Sequence, residues 1–166
     1  MKVIFLDVDG VLNSDEYIDK IKKLNVNTIK RKVSVNKISL LKKAVDATGA
    51  RVVLTSSWRY RRDGNLLKSL LSKYGIHADS TPFLDNKRGV EIKKYLSNNP
   101  LIDRYVILDD EIFESYDEEL IKHLIKISDK NGLGFGEGLL PKDVDRIIDR
   151  LGRVKPDKTM EEEFER

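Results

Sequence analysis

Three short apolar runs in this chain each end on residues that can do chemistry. Val3–Leu6 leads into Asp7-Val8-Asp9-Gly10, Val52–Leu54 into Thr55-Ser56-Ser57, and Tyr105–Leu108 into Asp109-Asp110. Continuous apolar runs of this length, with β-branched content, suit strands buried on both faces of a parallel sheet. Leu124–Ile127 is a fourth candidate strand. Between the runs lie segments of helical period. Ile38, Leu40, Leu41, Ala44, Val45 and Ala47 precede Gly49, and Leu66–Tyr74 precedes Gly75. Val90, Ile92 and Leu96 follow Arg88-Gly89, and Val144, Ile147, Ile148 and Leu151 follow Pro141. Glycine suits the stop of a helix and proline its first turn. Strands alternating with helices predict an α/β fold, a doubly wound, mostly parallel sheet with helices on both faces. In such sheets ligands bind beyond the carboxyl ends of the strands, near the switch in strand order. Polar residues at three strand ends are therefore improbable as decoration.

The length of 166 residues favours one domain, taken here as residues 1–152, followed by a charged tail, 153–166, without apolar period. The chain has no cysteine, which excludes disulfides, thiolate metal sites and a cysteine nucleophile. Its formal charge of +3 is compatible with an anionic substrate without specifying one. The apolar start of the chain is too short for a signal segment, and no stretch has the apolar length of a membrane span. A cytoplasmic protein without a membrane partner is expected. Oligomeric state is left open.

Asp7 and Asp9, one residue apart where a strand becomes a loop, can be presented differently. One can attack phosphorus while the other manages the proton of the leaving group. A hard cation bound nearby takes oxygen ligands, which Asp109 and Asp110 can supply, and it offsets repulsion between a carboxylate and a phosphate dianion. The hydroxyl and backbone N–H groups of Thr55 and Ser56 can hold phosphoryl oxygens. Arg88, opening a helix, is the best-placed balancing cation, with Lys87 as the alternative.

These segments resemble the haloacid dehalogenase (HAD) superfamily. FLDVDGVLN looks like its first motif, VVLTSSWR its second, Arg88 in KRGVEI its third basic position and VILDDE its fourth, in the family's order over residues 3 to 110. TSSWR, RGVEI and HLIKISDKNGL look, more narrowly, like the small HAD domains associated with RNA repair proteins. The resemblance implies a Rossmann-like, HAD-like fold and a phosphatase in which Asp7 forms an aspartyl-phosphate and Asp9 is general acid and then base. It implies that Thr55 binds phosphate and that Arg88 replaces the more common lysine. Mg²⁺ would be held by Asp7, the Asp9 carbonyl and one of Asp109 or Asp110. The implied substrate is a phosphomonoester on a nucleic-acid end or nucleotide. A small-metabolite or protein phosphatase, or a phosphoacceptor signalling domain of a different class, are the alternatives.

Other features carry less. Trp58-Arg59-Tyr60-Arg61-Arg62 can stack bases and neutralise phosphates, with Arg59 as a substrate contact, or can be a core tryptophan ringed by solvated arginines. Gly134, Gly136 and Gly138 lack the strand-turn-helix setting of a dinucleotide site and suit a flexible loop. His77 and His123 show no metal or triad spacing. The lysines from Lys20 to Lys43 are read as a solvated face, or as a nucleic-acid contact. Neither the stretch after Asp9 nor that between Ser57 and Arg88 is long enough for a large closing cap, so a minimal cap is expected.

Overall fold

The computed structural model describes residues 1–24, 32–127 and 136–155. Five strands form one sheet: β1 (Lys2–Leu6), β2 (Arg51–Leu54), β3 (Ala78–Ser80), β4 (Arg104–Asp109) and β5 (Leu124–Lys126). Their spatial order is β3-β2-β1-β4-β5 and every pairing is parallel. The chain builds outward from β1 through β2 to β3, then returns to the other side of β1 for β4. The switch point lies between β1 and β4, so the doubly wound fold expected from the alternating pattern is the one observed.

The helices are α1 (Asp15–Lys23), α2 (Val35–Thr48), α3 (Arg62–Lys73), α4 (Arg88–Asn98), α5 (Glu118–His123) and α6 (Pro141–Leu151), with a 3-10 turn at Ser57–Tyr60. Alternation along the strands splits the core in two. Ile4, Leu6, Val52, Leu54, Val106 and Leu108 meet Ile38, Leu41 and Ala44 of α2, Leu67 and Leu71 of α3, and Ile147 of α6. Val3, Phe5, Val53 and Ile107 point the other way, toward Ile92 of α4 and Leu120 of α5. The central strands are buried on both faces, which is why their sequences are continuous apolar runs.

Helix ends follow local chemistry. Gly49 caps α2 and accepts its left-handed conformation at φ 69°. Pro141 opens α6, where Asp143 Oδ2 accepts from the Leu140 N–H at 2.9 Å. α3 begins a turn earlier than the apolar spacing indicates, at Arg62. Two elements have no apolar signature. β3 is a three-residue edge strand of sequence ADS, and α5 is six residues capped by Asp117, which accepts from the Leu120 N–H at 3.0 Å.

Between β1 and α2 the described chain holds only α1. Between β2 and α4 it holds the 3-10 turn, α3 and β3, so the described residues contain no large cap. No helix among them is long and apolar enough to cross a membrane. Val154 donates to the Ala47 carbonyl at 2.9 Å, so the chain still packs on α2 two residues past Gly152. The rest of the charged tail, 156–166, lies outside the described residues, as do Gly132, Gly134 and Lys30. Gly136 and Gly138 do not form a free loop. Both are buried, the Gly136 carbonyl accepts from the Asp15 N–H, and Leu139 N–H donates to the Val11 carbonyl.

Candidate active site

The register of the sheet brings the three chemical strand ends together. Asp7 N–H donates to the Leu108 carbonyl at 3.0 Å and Thr55 N–H to the Leu6 carbonyl at 2.9 Å, so the residues just past β1, β2 and β4 sit side by side. Carboxylate oxygens of Asp7, Asp109 and Asp110 all lie within 4.8 Å of one another, and all three residues are buried. The Asp9 carboxylate is not part of this cluster. It stands at the next bend of the loop, where its Oδ1 accepts from Asn13 Nδ2 at 3.0 Å and its Oδ2 from Trp58 Nε1 at 3.1 Å. Asn13 is itself fixed, because its Oδ1 accepts from the Gly10 N–H at 2.8 Å.

Two glycines permit this crowding. Gly10 has φ 81°, and a Cβ there would run into the Asp110 carboxylate. Gly89, at the start of α4, lies against the Ser115 backbone where a Cβ would collide, and its N–H donates to Ser115 Oγ at 2.9 Å. That contact draws the first turn of α4 onto the loop after β4. Arg88 Nη1 thereby reaches Asp109 Oδ2 at 2.7 Å and Asp7 Oδ1 at 3.1 Å, while its guanidinium lies 4.3 Å from the centre of the Phe113 ring. Lys87 is exposed and lines a neighbouring hollow. Of the two basic candidates, Arg88 is the one at the acids.

The electrostatics are those of carboxylates held together without enough positive charge. Burial and the neighbouring Asp109 push the Asp7 carboxyl well above its ordinary range, against the pull of Arg88. Burial and Asp109 likewise raise Asp110 to about 7. Burial works against the charge on Arg88, but Asp7 and Asp109 override it and hold the guanidinium above its usual value. Asp109 is the best served of the three acids. It accepts from Arg88, from the Tyr116 hydroxyl at 2.9 Å and from the Glu111 N–H at 3.1 Å. Burial and Asp109 raise the Tyr116 hydroxyl far above its normal range, so it stays a donor. Asp7 and Asp110 keep more unused acceptor capacity. Three carboxylates at this spacing are a donor set suited to a hard divalent cation.

Beside the acids a cleft of about 220 Å³ is lined by Thr55, Ser57, Arg59, Tyr60, Asn86, Arg88, Glu91 and Phe113. Thr55 Oγ1 is buried and has no hydrogen-bond partner among the described residues. A buried hydroxyl in that state costs free energy unless a ligand or water satisfies it. Ser56 also serves the fold, its Oγ accepting from the Trp58 N–H at 3.2 Å to close the 3-10 turn, which leaves its O–H as a donor.

The basic and aromatic run after β2 does not form one exposed surface. Trp58 is 7% exposed and its indole N–H is committed to Asp9. Arg59, expected as a substrate contact, lines the cleft, but its side chain is committed to partners within the fold. Its side chain is 3% exposed and ion-paired with Glu91, whose own side chain is 1% exposed. Its other N–H groups donate to the carbonyls of Thr55, of Ser56 at 2.9 Å and of Thr81 at 3.2 Å. Arg59 holds the loop after β2 in shape. Only Tyr60, Arg61 and Arg62 of the run are exposed. The lysines are divided in the same way. Lys20, Lys22, Lys23 and Lys43 are exposed, but Lys37 donates to the Leu139 carbonyl at 2.7 Å and Lys42 pairs with Asp46 at 2.8 Å.

Glu91, Tyr116, Asn13 and Phe113 were not singled out by the sequence reading. Glu91 falls at the third position after Arg88 in an ordinary helix start, and its role appears only when β2 and α4 are brought together. Because the Arg59–Glu91 pair is buried, removing one partner strands the other charge. Glu91→Ala is expected to lower unfolding stability by about 3–5 kcal/mol, which would move the thermal midpoint down by roughly 10 °C. Denaturant unfolding of the purified variant measures it, and a loss under about 1 kcal/mol would show that water reaches the pair.

Searches among curated proteins and among solved structures return no match to this chain. A family model described as the HAD domain in Swiss Army Knife RNA repair proteins matches residues 3–134, from β1 through the segment after β5. With that match covering well over half of its length, and with the four motifs gathered at one end of a parallel sheet, the chain belongs to this family of HAD domains, whose superfamily chemistry is that of a hydrolase.

Proposed function

We propose that the protein is a magnesium-dependent phosphatase that hydrolyses a phosphomonoester on a nucleic-acid end or nucleotide through an aspartyl-phosphate on Asp7. The observation that carries this reading is the convergence of the Asp7, Asp109 and Asp110 carboxylates beside an unpartnered Thr55 hydroxyl and the Arg88 guanidinium. The set of hard oxygen donors fits Mg²⁺, with Asp7, Asp110 and the Asp9 carbonyl as the favoured ligands and Asp109 anchoring Arg88 and Tyr116. When bound, the ion lowers the repulsion between the carboxylates and a phosphate dianion and polarises a phosphoryl oxygen.

The protein's own groups divide the remaining work. Thr55 Oγ1 donates to one phosphoryl oxygen and Arg88 screens a second, leaving phosphorus open to a carboxylate oxygen of Asp7. Asp9, steadied by Asn13 and Trp58, gives a proton to the departing alkoxide oxygen as the P–O bond breaks and the Asp7–phosphorus bond forms. It then takes a proton from the water that attacks phosphorus, releasing inorganic phosphate and restoring the Asp7 carboxylate. The RNA repair proteins that define the family, and the absence of a large cap among the described residues, favour a polynucleotide end over an enclosed metabolite.

A panel with Mg²⁺ tests this directly: 3′- and 5′-phosphorylated oligonucleotides, mononucleotides, sugar phosphates and phosphopeptides. Phosphate release is expected from the oligonucleotides, most of all from a 3′ end, and exhaustive chelation is expected to lower it by roughly 10²-fold or more, with recovery on adding Mg²⁺. Full activity in the chelated protein would remove the metal from the scheme.

A further inference from the structure

Two aromatic rings stand exposed at the rim of the cleft. Tyr60 is 41% exposed and Phe83 57% exposed, and their ring centres lie 4.7 Å apart at an interplanar angle of 81°. We propose that Phe83, braced by Tyr60, is the stacking platform for the base of the terminal nucleoside whose phosphate enters the cleft, in a single strand. The proposal rests on the phosphatase reading above and names how that site selects its substrate.

Position is the first argument. Tyr60 lines the same cleft as Thr55 and Arg88, so a group that leaves the cleft on that side meets the Tyr60–Phe83 pair next. The cleft itself, about 220 Å³, falls below the roughly 300–1,000 Å³ of pockets that enclose a whole small ligand. It suits a phosphate, while the nucleoside must lie on the rim.

Available surface is the second. The Arg59 guanidinium sits 4.1 Å from the centre of the Tyr60 ring and takes up one of its faces. Phe113 is engaged by Arg88 and by Tyr116. In a perpendicular pair Tyr60 covers at most one face of Phe83, so the exposed Phe83 ring keeps a flat apolar face beside a residue that lines the cleft.

Rigidity is the third, because a platform that must be ordered on binding loses much of its stacking energy. Glu91 Oε1 accepts from the Tyr60 hydroxyl at 3.0 Å and from the Leu84 N–H at 2.9 Å, tying the 3-10 turn to the residue after Phe83. On the other side of Phe83, Thr81 N–H donates to the Leu54 carbonyl at 3.0 Å and the Thr81 carbonyl accepts from Arg59. Pro82 restricts the backbone between them. The buried Arg59–Glu91 pair therefore fixes both the floor of the cleft and its aromatic rim. A base in a duplex already has its faces covered by neighbouring pairs, so a stacking partner of this kind takes an unpaired terminal base.

The test compares two oligoribonucleotides carrying the same terminal phosphate, one with its terminal base and one abasic at that position. Wild-type kcat/KM with Mg²⁺ is expected to favour the base-bearing strand by roughly 5- to 100-fold, the range of one stacked base. In Phe83→Ala this ratio is expected to fall to within about twofold of unity, and in Phe83→Trp to be kept. Pairing the terminal base to a complementary strand is expected to remove the preference as well. A ratio unchanged in Phe83→Ala, or a wild-type protein indifferent to the base, overturns the platform. A mononucleotide hydrolysed as well as the oligomer would assign the platform to free nucleotides and overturn the strand-end part. A strand ending in 2-aminopurine supplies a readout without turnover, since stacking on Phe83 quenches its fluorescence on binding. Quenching that depends on Phe83 with no hydrolysis of either strand would sink the phosphatase reading and leave the platform standing.

Discussion

Asp7→Asn is expected to lower phosphatase turnover by on the order of 10⁴- to 10⁶-fold, the scale seen when the nucleophile of a catalytic unit is removed. The amide cannot form the acyl phosphate, and no neighbouring carboxylate replaces it. Asp109 is tied to Arg88, Tyr116 and the Glu111 N–H, and Asp110 sits behind Gly10. The fold should survive the change. Burial, Asp109 and Asp110 all oppose a charged Asp7, and Arg88 is the main group that favours it. A neutral isostere relieves that repulsion, so the metal-free thermal midpoint is expected to stay at or above that of the wild type. Mg²⁺ should then raise the midpoint less than it does in the wild type, because one ligand charge is gone. Single-turnover assays and thermal denaturation with and without Mg²⁺ measure both. Turnover within tenfold of wild type by a folded variant would remove Asp7 from the nucleophile's place.

The parts of the molecule legible in the sequence are those whose signal is local. β1, β2 and β4 are buried on both faces, so each is an uninterrupted apolar run, and the chemistry follows at a fixed offset. Helices α2, α4 and α6 show a one-sided apolar stripe and a conventional start or stop. β3 was not legible, because an edge strand of three residues with intermediate and exposed side chains has no apolar run to display. α5 is too short for a periodic stripe.

At the site, Asp7, Asp9, Thr55, Arg88, Asp109 and Asp110 could be picked out because they stand at strand ends or at a helix start. The same strand-end logic does not reveal that the Ser56 hydroxyl also closes the 3-10 turn. Arg59 and Trp58 were harder to judge, since basic and aromatic residues in sequence look alike whether they face solvent or the interior. What decides between those outcomes is a partner far along the chain. Glu91 turns Arg59 inward, and Asp9 takes up the indole N–H of Trp58. Neither pairing has a local sequence signal.

The contact between Trp58 and Asp9 also shapes what a substitution at Asp9 will do. Asp9→Asn is expected to slow hydrolysis of a nucleoside phosphate by roughly 10²- to 10⁴-fold, the usual yield of general acid–base catalysis, with a much smaller change in KM. Two effects enter. Loss of the carboxyl removes the proton donor and acceptor. In addition, the wild-type carboxylate accepts from two donors, Asn13 Nδ2 and Trp58 Nε1, and an amide offers one oxygen and one NH₂ in their place. Trp58 can only donate, and Asn13 is held in its orientation by the Gly10 N–H, so one of the two contacts becomes donor against donor. The side chain would then turn away from its place as well as lose its proton. Leaving-group chemistry separates the two. A ribosyl alkoxide needs a proton as it departs, whereas p-nitrophenolate leaves as a stable anion. If Asp9 is the acid, single-turnover phosphorylation of Asp7 by p-nitrophenyl phosphate should fall by roughly tenfold or less, while the second step, attack by water, stays slow and the phospho-enzyme accumulates. Misplacement alone would slow phosphorylation about equally for both leaving groups. Equal losses would therefore withdraw the acid role from Asp9 and leave it as a residue that shapes the loop.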